Sequence, residues 1–472
     1  MSMSSYRMTR STLPQVLAAS ILLAAVVVAS PLLACALIAA PFCVEWVGRG
    51  LPAPERRALY VLLGGALLVR LALVAAQLIA GLPMLNDSAV GALAGDESYY
   101  LSRALRVRDL MAGYAATKYD YFVANDAYGQ TSYLTVLTWL QVVFGPTPYS
   151  LKVVNGLLFV CGAGVLFRMA RASFGPLPAF VGLSALLFWP SLLFSSVSLL
   201  KESMYFLASS IFAVASWWLI RSIAAGQWQR AAMLVPIGLG ALLLLDGLRR
   251  GALILMAGGL LAGLAIWWFG QTRRRVVMAA AAGAVAVTAV IAVPAVHDRV
   301  LRAVESAAKI HAGHVFTVGH VYKLMDEGFY VRPHAPASWD LRLTDRQALQ
   351  FVVKAAVSFA VTPWPWEMRS AGELALLPEH IVWCLMVGLL PFGIAAGWRR
   401  DPLATALWLG LAIPTAAAVA LTNGNVGTLI RLRGLATPYL VWLGAFGCCV
   451  VGERLAASRL AGRGALIERQ AL

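Results

Sequence analysis

Charge is scarce in this 472-residue chain, and acid is scarcer still. Charged residues make up 13% of it, with 22 Asp and Glu against 38 Lys and Arg. So little charge excludes a disordered, solvated chain and most soluble folds. Cysteine is limited to six residues (Cys35, Cys43, Cys161, Cys384, Cys448, Cys449), each in or at the end of an apolar segment. That placement excludes a disulfide framework and offers no metal-thiolate spacing. There is no low-complexity tract and no evident internal repeat, and a transporter built from two related halves would be expected to show one. The first residues lack a clear small-residue cleavage site, so the N-terminal segment is expected to stay as part of the membrane region.

What is abundant is apolar sequence. Hydrophobic residues reach 60% and the mean hydropathy is +0.76. A spanning helix needs about 20 mostly apolar residues. Such runs fall at 58–82, 151–171, 178–198, 203–220, 231–247, 251–269, 276–296, 376–398, 402–421 and 434–452. Residues 13–47 add one long span or a hairpin of two short helices turning at Ser30-Pro31. The expected fold class is an all-α polytopic integral membrane protein of about 11–12 transmembrane helices with two large outer-face loops. Its expected parts are an N-terminal span or hairpin (1–57), a core (58–296) that includes a first outer loop (83–150), an outer, periplasmic region (297–375), and C-terminal helices with a tail (376–472).

Basic residues orient the chain. Arg168 and Arg171, Arg221 and Arg230, Arg273 to Arg275, and Arg399-Arg400 occupy every second connection, which marks those connections as cytoplasmic. Trp217-Trp218, Trp267-Trp268 and Trp398 fall where the matching interface belongs. The net charge of +16 is mostly this positive-inside arginine, which attracts anionic membrane lipids and does not call for nucleic acid. Arg7 and Arg10 share the side of Arg49, Arg56 and Arg57 only if 13–47 is a hairpin.

The outer loops carry the unusual residues. Gly95-Asp-Glu-Ser-Tyr-Tyr100 sets two acids beside two tyrosines next to a span, where charge needs a functional reason. Thr131 to Phe144 is apolar but too short to cross, so it reads as an interfacial or re-entrant helix. Residues 297–375 read as a small helical cap. Further ionisable residues expected at the outer face are Lys201-Glu202, Asp246 with Arg249-Arg250, Glu367, Arg369, Arg431 and Arg433. Several guanidinium groups meeting there could grip a phosphate, and an acid nearby could take a proton from an attacking hydroxyl. Each element also has a plainer reading: Asp96-Glu97 as a helix cap, Lys201-Glu202 as a local pair, and Arg249-Arg250 as a head-group contact. The six histidines fall between His297 and His380. His311, His314 and His320 lack the further ligands a zinc site needs, and solvated loop histidines are the expectation.

The motifs resemble those of a known superfamily. The Gly95–Tyr100 acid pair, the stretch Pro148–Asn155 leading to Arg168–Gly175, and Trp189-Pro190 with Ser198–Ser203 are similar to GT-C polytopic glycosyltransferases. The likeness is to the bacterial branch related to protein mannosyltransferases and the aminoarabinose transferase. It covers roughly residues 58–300. It implies transfer of a hexosyl or pentosyl unit from a polyprenyl-phosphate sugar donor to a hydroxyl of a lipid or glycan acceptor, at the outer face of the inner membrane. It would make Asp96, with Glu97, the general base or the organiser of a divalent cation. No cofactor and no protein-held metal is otherwise implied. Lys201, Arg249, Arg250, Arg431 and Arg433 would hold the departing phosphate. The late segment Asn425–Arg433 instead resembles membrane polysaccharide polymerases, which keeps a polymerase or ligase as the alternative, with a lipid-linked glycan transporter as the non-enzyme reading.

Overall fold

The computed structural model describes residues 26–81, 96–125, 130–317, 319–330, 341–368 and 371–470, with side chains in the last helix described to residue 458. The protein is an all-α polytopic membrane protein, and no strand occurs among the described residues. In chain order the helices are α1 (Pro31–Gly48), α2 (Ala53–Ile79), α3 (Glu97–Met111), α4 (Lys118–Asn125), α5 (Ser132–Phe144), α6 (Pro148–Phe174), α7 (Pro176–Phe188), α8 (Pro190–Ser196), α9 (Glu202–Ala224) and α10 (Trp228–Leu248). Then follow α11 (Ala252–Phe269), α12 (Arg273–Ala292), α13 (Pro294–Val315), α14 (Asp345–Val361), α15 (Ala371–Ala375), α16 (Leu377–Arg400), α17 (Pro402–Thr422), α18 (Val426–Arg433) and α19 (Thr437–Gln470).

Ten of these are long and apolar enough to cross a membrane, and α7 with α8 makes an eleventh if the bent pair is one span. The expected break at Ser30 is present: its hydroxyl caps α1 by accepting from Leu33 N at 3.3 Å. Of the first arm of the expected hairpin, residues 13–25 lie outside the described residues. α5 has 13 residues, below spanning length, as its sequence predicts. Lipid-embedded helices gain little from apolar burial against each other, so close approach through small residues has to hold them. Gly259 and Gly263 of α11 lie against Gly410 of α17, where an added Cβ would stand 2.3 Å from Gly263 N.

The run 178–198, expected as one helix, is instead two helices bent by 59° at Trp189-Pro190. Pro190 has no N–H and clashes with the preceding turn, so the ladder stops there. Two buried charges from other helices satisfy the groups this frees. In an unbroken helix Ser191 N would donate to Leu187 O. Ser191 N instead donates to Glu379 at 2.6 Å, and the same carboxylate accepts from Ser191 Oγ (2.6 Å) and Trp189 Nε1 (2.8 Å). Leu187 O accepts from Arg70 Nη2 at 3.0 Å, while Arg70 Nε reaches Ser196 Oγ at 2.9 Å. The acid therefore sits at the start of α8 and the cation at the end of α7, each matching the local helix dipole.

This arrangement gives a stability prediction. Glu379→Ala leaves three buried donors without an acceptor, at about 1–3 kcal/mol for each unsatisfied group. Thermal unfolding in detergent should fall by well over what Glu379→Gln costs, since the amide keeps one acceptor oxygen.

The two ends of the bundle are built from different ion pairs. At one end Arg171 pairs with Glu55 (2.6 Å) and Arg221 with Asp401 (2.6 Å), and Arg168 caps α1 through Val47 O (2.8 Å). At the opposite end meet the starts of α3, α6 and α9, the end of α10, and α18. The 297–375 region supplies α13, α14 and α15, a helical cap at that second end.

Candidate functional site

Asp96 stands at the N-cap position of α3, yet its side chain makes no cap hydrogen bond. Its carboxylate instead faces Arg431 Nη2 of α18 at 3.1 Å, and 54% of the side chain remains exposed. Arg431 Nε lies 3.8 Å from Glu202 Oε1, and Arg249 Nη2 lies 3.8 Å from the same oxygen. Four separate elements (α3, α9, the α10–α11 turn and α18) thus bring Asp96, Glu202, Arg249 and Arg431 to one place. Lys201 joins them with its ammonium 6.0 Å from the Tyr100 ring, and Arg249 sits over Tyr205 at 5.9 Å.

Electrostatics at this cluster follow from burial and neighbouring charge. Burial and the nearby Glu202 and Asp96 push the Tyr100 phenol well up, so it stays a neutral hydroxyl. Burial and the adjacent Arg249 lower the Lys201 ammonium. Burial alone would lower Arg431, but the Glu202 and Asp96 carboxylates outweigh it and the guanidinium is held firmly charged. Glu202 Oε2, Arg249 Nε and Arg431 Nε are buried and make no hydrogen bond among the described residues. Two of these three orphans are cationic donors, so the cluster retains capacity for an anion. A divalent cation beside Asp96 would face Arg431 directly and Arg249 across Glu202, so the residues present fit an anion better than a metal. Among the described residues, no three His, Cys, Asp or Glu gather in a group that could hold one.

The other expected site residues lie elsewhere. Glu97 shares neither the setting nor the exposure of Asp96. It is fully buried, paired with Lys152 Nζ at 2.8 Å, and accepts from Leu199 N at 3.0 Å. Lys152 also donates to Gln77 at 2.6 Å. This pair ties the start of α3 to α2 and α6, and so presents Asp96. Arg250 lies on the exposed side of the turn. Arg433 makes its contacts away from Asp96: Nη2 donates to Ser358 O (3.1 Å) and to Thr362 O, and the guanidinium lies 5.3 Å from the Trp383 ring centre. Burial lowers it to about 10, and it still caps the end of α14 as a cation. Arg369 lies outside the described residues.

The histidines correct an expectation. His311 and His314 are not solvated loop residues but lie on α13: His311 is fully buried, and its Nδ1 meets Asn423 O at 2.6 Å. His314 Nδ1 meets Thr422 O at 2.7 Å. One helical turn apart, they share a face and clamp the last carbonyls of α17. Two backbone bonds, Val426 N to His320 O (2.9 Å) and Tyr322 N to Gly424 O (3.0 Å), extend the clamp to the start of α18. The cap thereby fixes the helix that carries Arg431.

Burial lowers His311 to about 4, against an ordinary value of 6.5, with His314 adding to the effect. Unfolding would let His311 bind a proton anywhere between those values. Its contribution to stability is therefore full above pH 6.5 and shrinks as pH falls toward 4, by up to about 3 kcal/mol. Melting temperature should drop over that window, and His311→Gln should flatten the drop.

Sequence reasoning passed over Glu202 as a site member, and passed over Lys152, Arg70 and Glu379. For Arg70 the available signal was a lone arginine in the middle of an apolar run. Set against known protein families, curated proteins and solved structures, the chain finds no match in any of the three.

Proposed function

We propose that the protein is a membrane glycosyltransferase that moves a sugar from a polyprenyl-phosphate donor to an acceptor hydroxyl at the outer face of the membrane. The observation that carries this reading is the Asp96–Arg431 contact. A half-exposed carboxylate and a buried, strongly held guanidinium meet beside Arg249 and Lys201, at the bundle end opposite the basic connections.

The chemistry is a displacement at the anomeric carbon. The acceptor oxygen attacks the anomeric carbon as the bond from that carbon to the phosphate oxygen breaks. The acceptor proton passes to Asp96, and the leaving polyprenyl phosphate takes its new negative charge into the field of Arg431, Arg249 and Lys201. Fixed cations aimed at developing charge need no reorganisation during the step. Glu202 holds Arg249 and Arg431 in place and limits the net positive charge. Glu97 with Lys152, and Arg433 with the histidine clamp, act as positioning groups. Arg250 lies at the edge, on the exposed side of the turn, within reach of lipid head groups.

The test is binding of polyprenyl phosphate itself to the purified protein, which needs no acceptor. Arg431→Ala and Arg249→Ala should each weaken it by about tenfold or more, as expected for a charge-assisted contact. Asp96→Asn should bind at least as well as the wild type, because a repelling carboxylate is gone. Equal affinity in wild type and both arginine variants would overturn the assignment of the phosphate site.

A further inference from the structure

Beside the charged cluster runs a second recess that the donor chemistry leaves unused. It is a groove of about 520 Å³ walled by α3, α4 and α5, with Gly247 of α10, two residues before Arg249, also in its lining. That size falls within the range of small-molecule sites. At Gly247 the chain is tightly packed, since a Cβ there would stand 2.1 Å from Ser132 Oγ. Val107 and Met111 of α3 also line it, and Val107 lies about 15 Å along α3 from Glu97 at 1.5 Å per residue.

The lining differs in kind from the cluster. Asn125, Gln130, Ser132, Thr135, Thr138 and Trp139 supply amides, hydroxyls and an indole, and no titratable side chain is among the described lining residues. Amides and hydroxyls can each donate and accept, as the hydroxyls of a sugar require. Thr138 is 2% exposed, and its hydroxyl makes no hydrogen bond among the described residues although it lines the groove. A buried hydroxyl without a partner calls for one from a ligand. Trp139 is 53% exposed. An indole there could equally belong to an interfacial aromatic belt, but that role leaves the Thr138 hydroxyl unexplained.

We propose that this groove holds the trailing sugars of a neutral oligosaccharide acceptor, with the reacting end at Asp96 and the chain running outward past Thr138 to Trp139. The acceptor is then a glycan of several residues and not a bare lipid. This rests on the transferase reading, and the test separates the two.

The full chain in lipid nanodiscs is titrated with neutral and with acidic oligosaccharides, obtained by partial hydrolysis of the producing cell's own surface glycans, and binding is read by saturation-transfer NMR. Neutral fragments should bind saturably, and Trp139→Ala should weaken them about tenfold. Thr138→Val, which keeps the shape and so the fold, should weaken them about fivefold through one lost hydrogen bond. No saturable binding to wild type, a preference for acidic fragments, or wild-type affinity in the Thr138→Val variant would overturn the proposal. Intact groove binding together with sugar transfer that survives Asp96→Asn would instead sink the transferase mechanism and leave the groove standing.

Discussion

Asp96→Asn is expected to lower kcat by about 10²–10⁴, the usual contribution of a positioned general base. The substitution keeps the size of the side chain, and the amide oxygen can still accept from Arg431 Nη2, which now lies at 3.1 Å from the carboxylate. Geometry and fold are therefore largely preserved, and the loss is one of proton acceptance. Donor affinity should hold or improve. A steady-state comparison that finds KM raised and kcat unchanged would recast Asp96 as a binding residue. Glu97→Gln should behave differently: Glu97 is sealed from solvent, so its loss should act through stability and through the placement of Asp96.

The second large effect is expected at the buried pair itself. Lys152→Met would remove the ammonium that faces the buried Glu97 carboxylate, which keeps Leu199 N as a donor. Removing one partner of a buried ion pair costs about 3–5 kcal/mol, whereas replacing both with apolar groups of similar volume can be neutral. The single variant should therefore melt far below wild type. Glu97→Leu combined with Lys152→Met should recover most of the loss. A double variant as unstable as the single one would mean that the pair contributes specific contacts beyond charge balance. In that case the Leu199 N–H and Gln77, both left without partners, would be the source.

Much of this architecture was legible in the sequence. Apolar runs near 20 residues locate the spans because lipid forces each segment to close its own backbone hydrogen bonds. The break inside 178–198 was not legible, although Pro190 marks it. Hydropathy sums over a window and cannot see that Arg70 and Glu379, 309 positions apart by their numbers, arrive to cap the two halves. The site was partly legible. Asp96 and Arg431 were marked by charge near a membrane face, but their contact depends on how α3 and α18 are held.

Arg431 and Arg433 show what a closer reading could have found. Asn425 caps an eight-residue helix by accepting from Thr428 N, and residues two apart on a helix point to opposite sides. They could not both face the cluster. The same rule works in the other direction for His311 and His314, three apart and on one face. Their shared partner is the end of α17, because carbonyls there lack intrahelical donors.

The most direct measurement is transfer from a radiolabelled polyprenyl-phosphate sugar by the purified protein in proteoliposomes, wild type beside Asp96→Asn. The account predicts product, or slow release of free sugar, in the wild type and its near disappearance in the variant. Equal turnover in both would contradict the account, moving the chemistry to the arginines of α18 and the α10–α11 turn and favouring a polysaccharide polymerase.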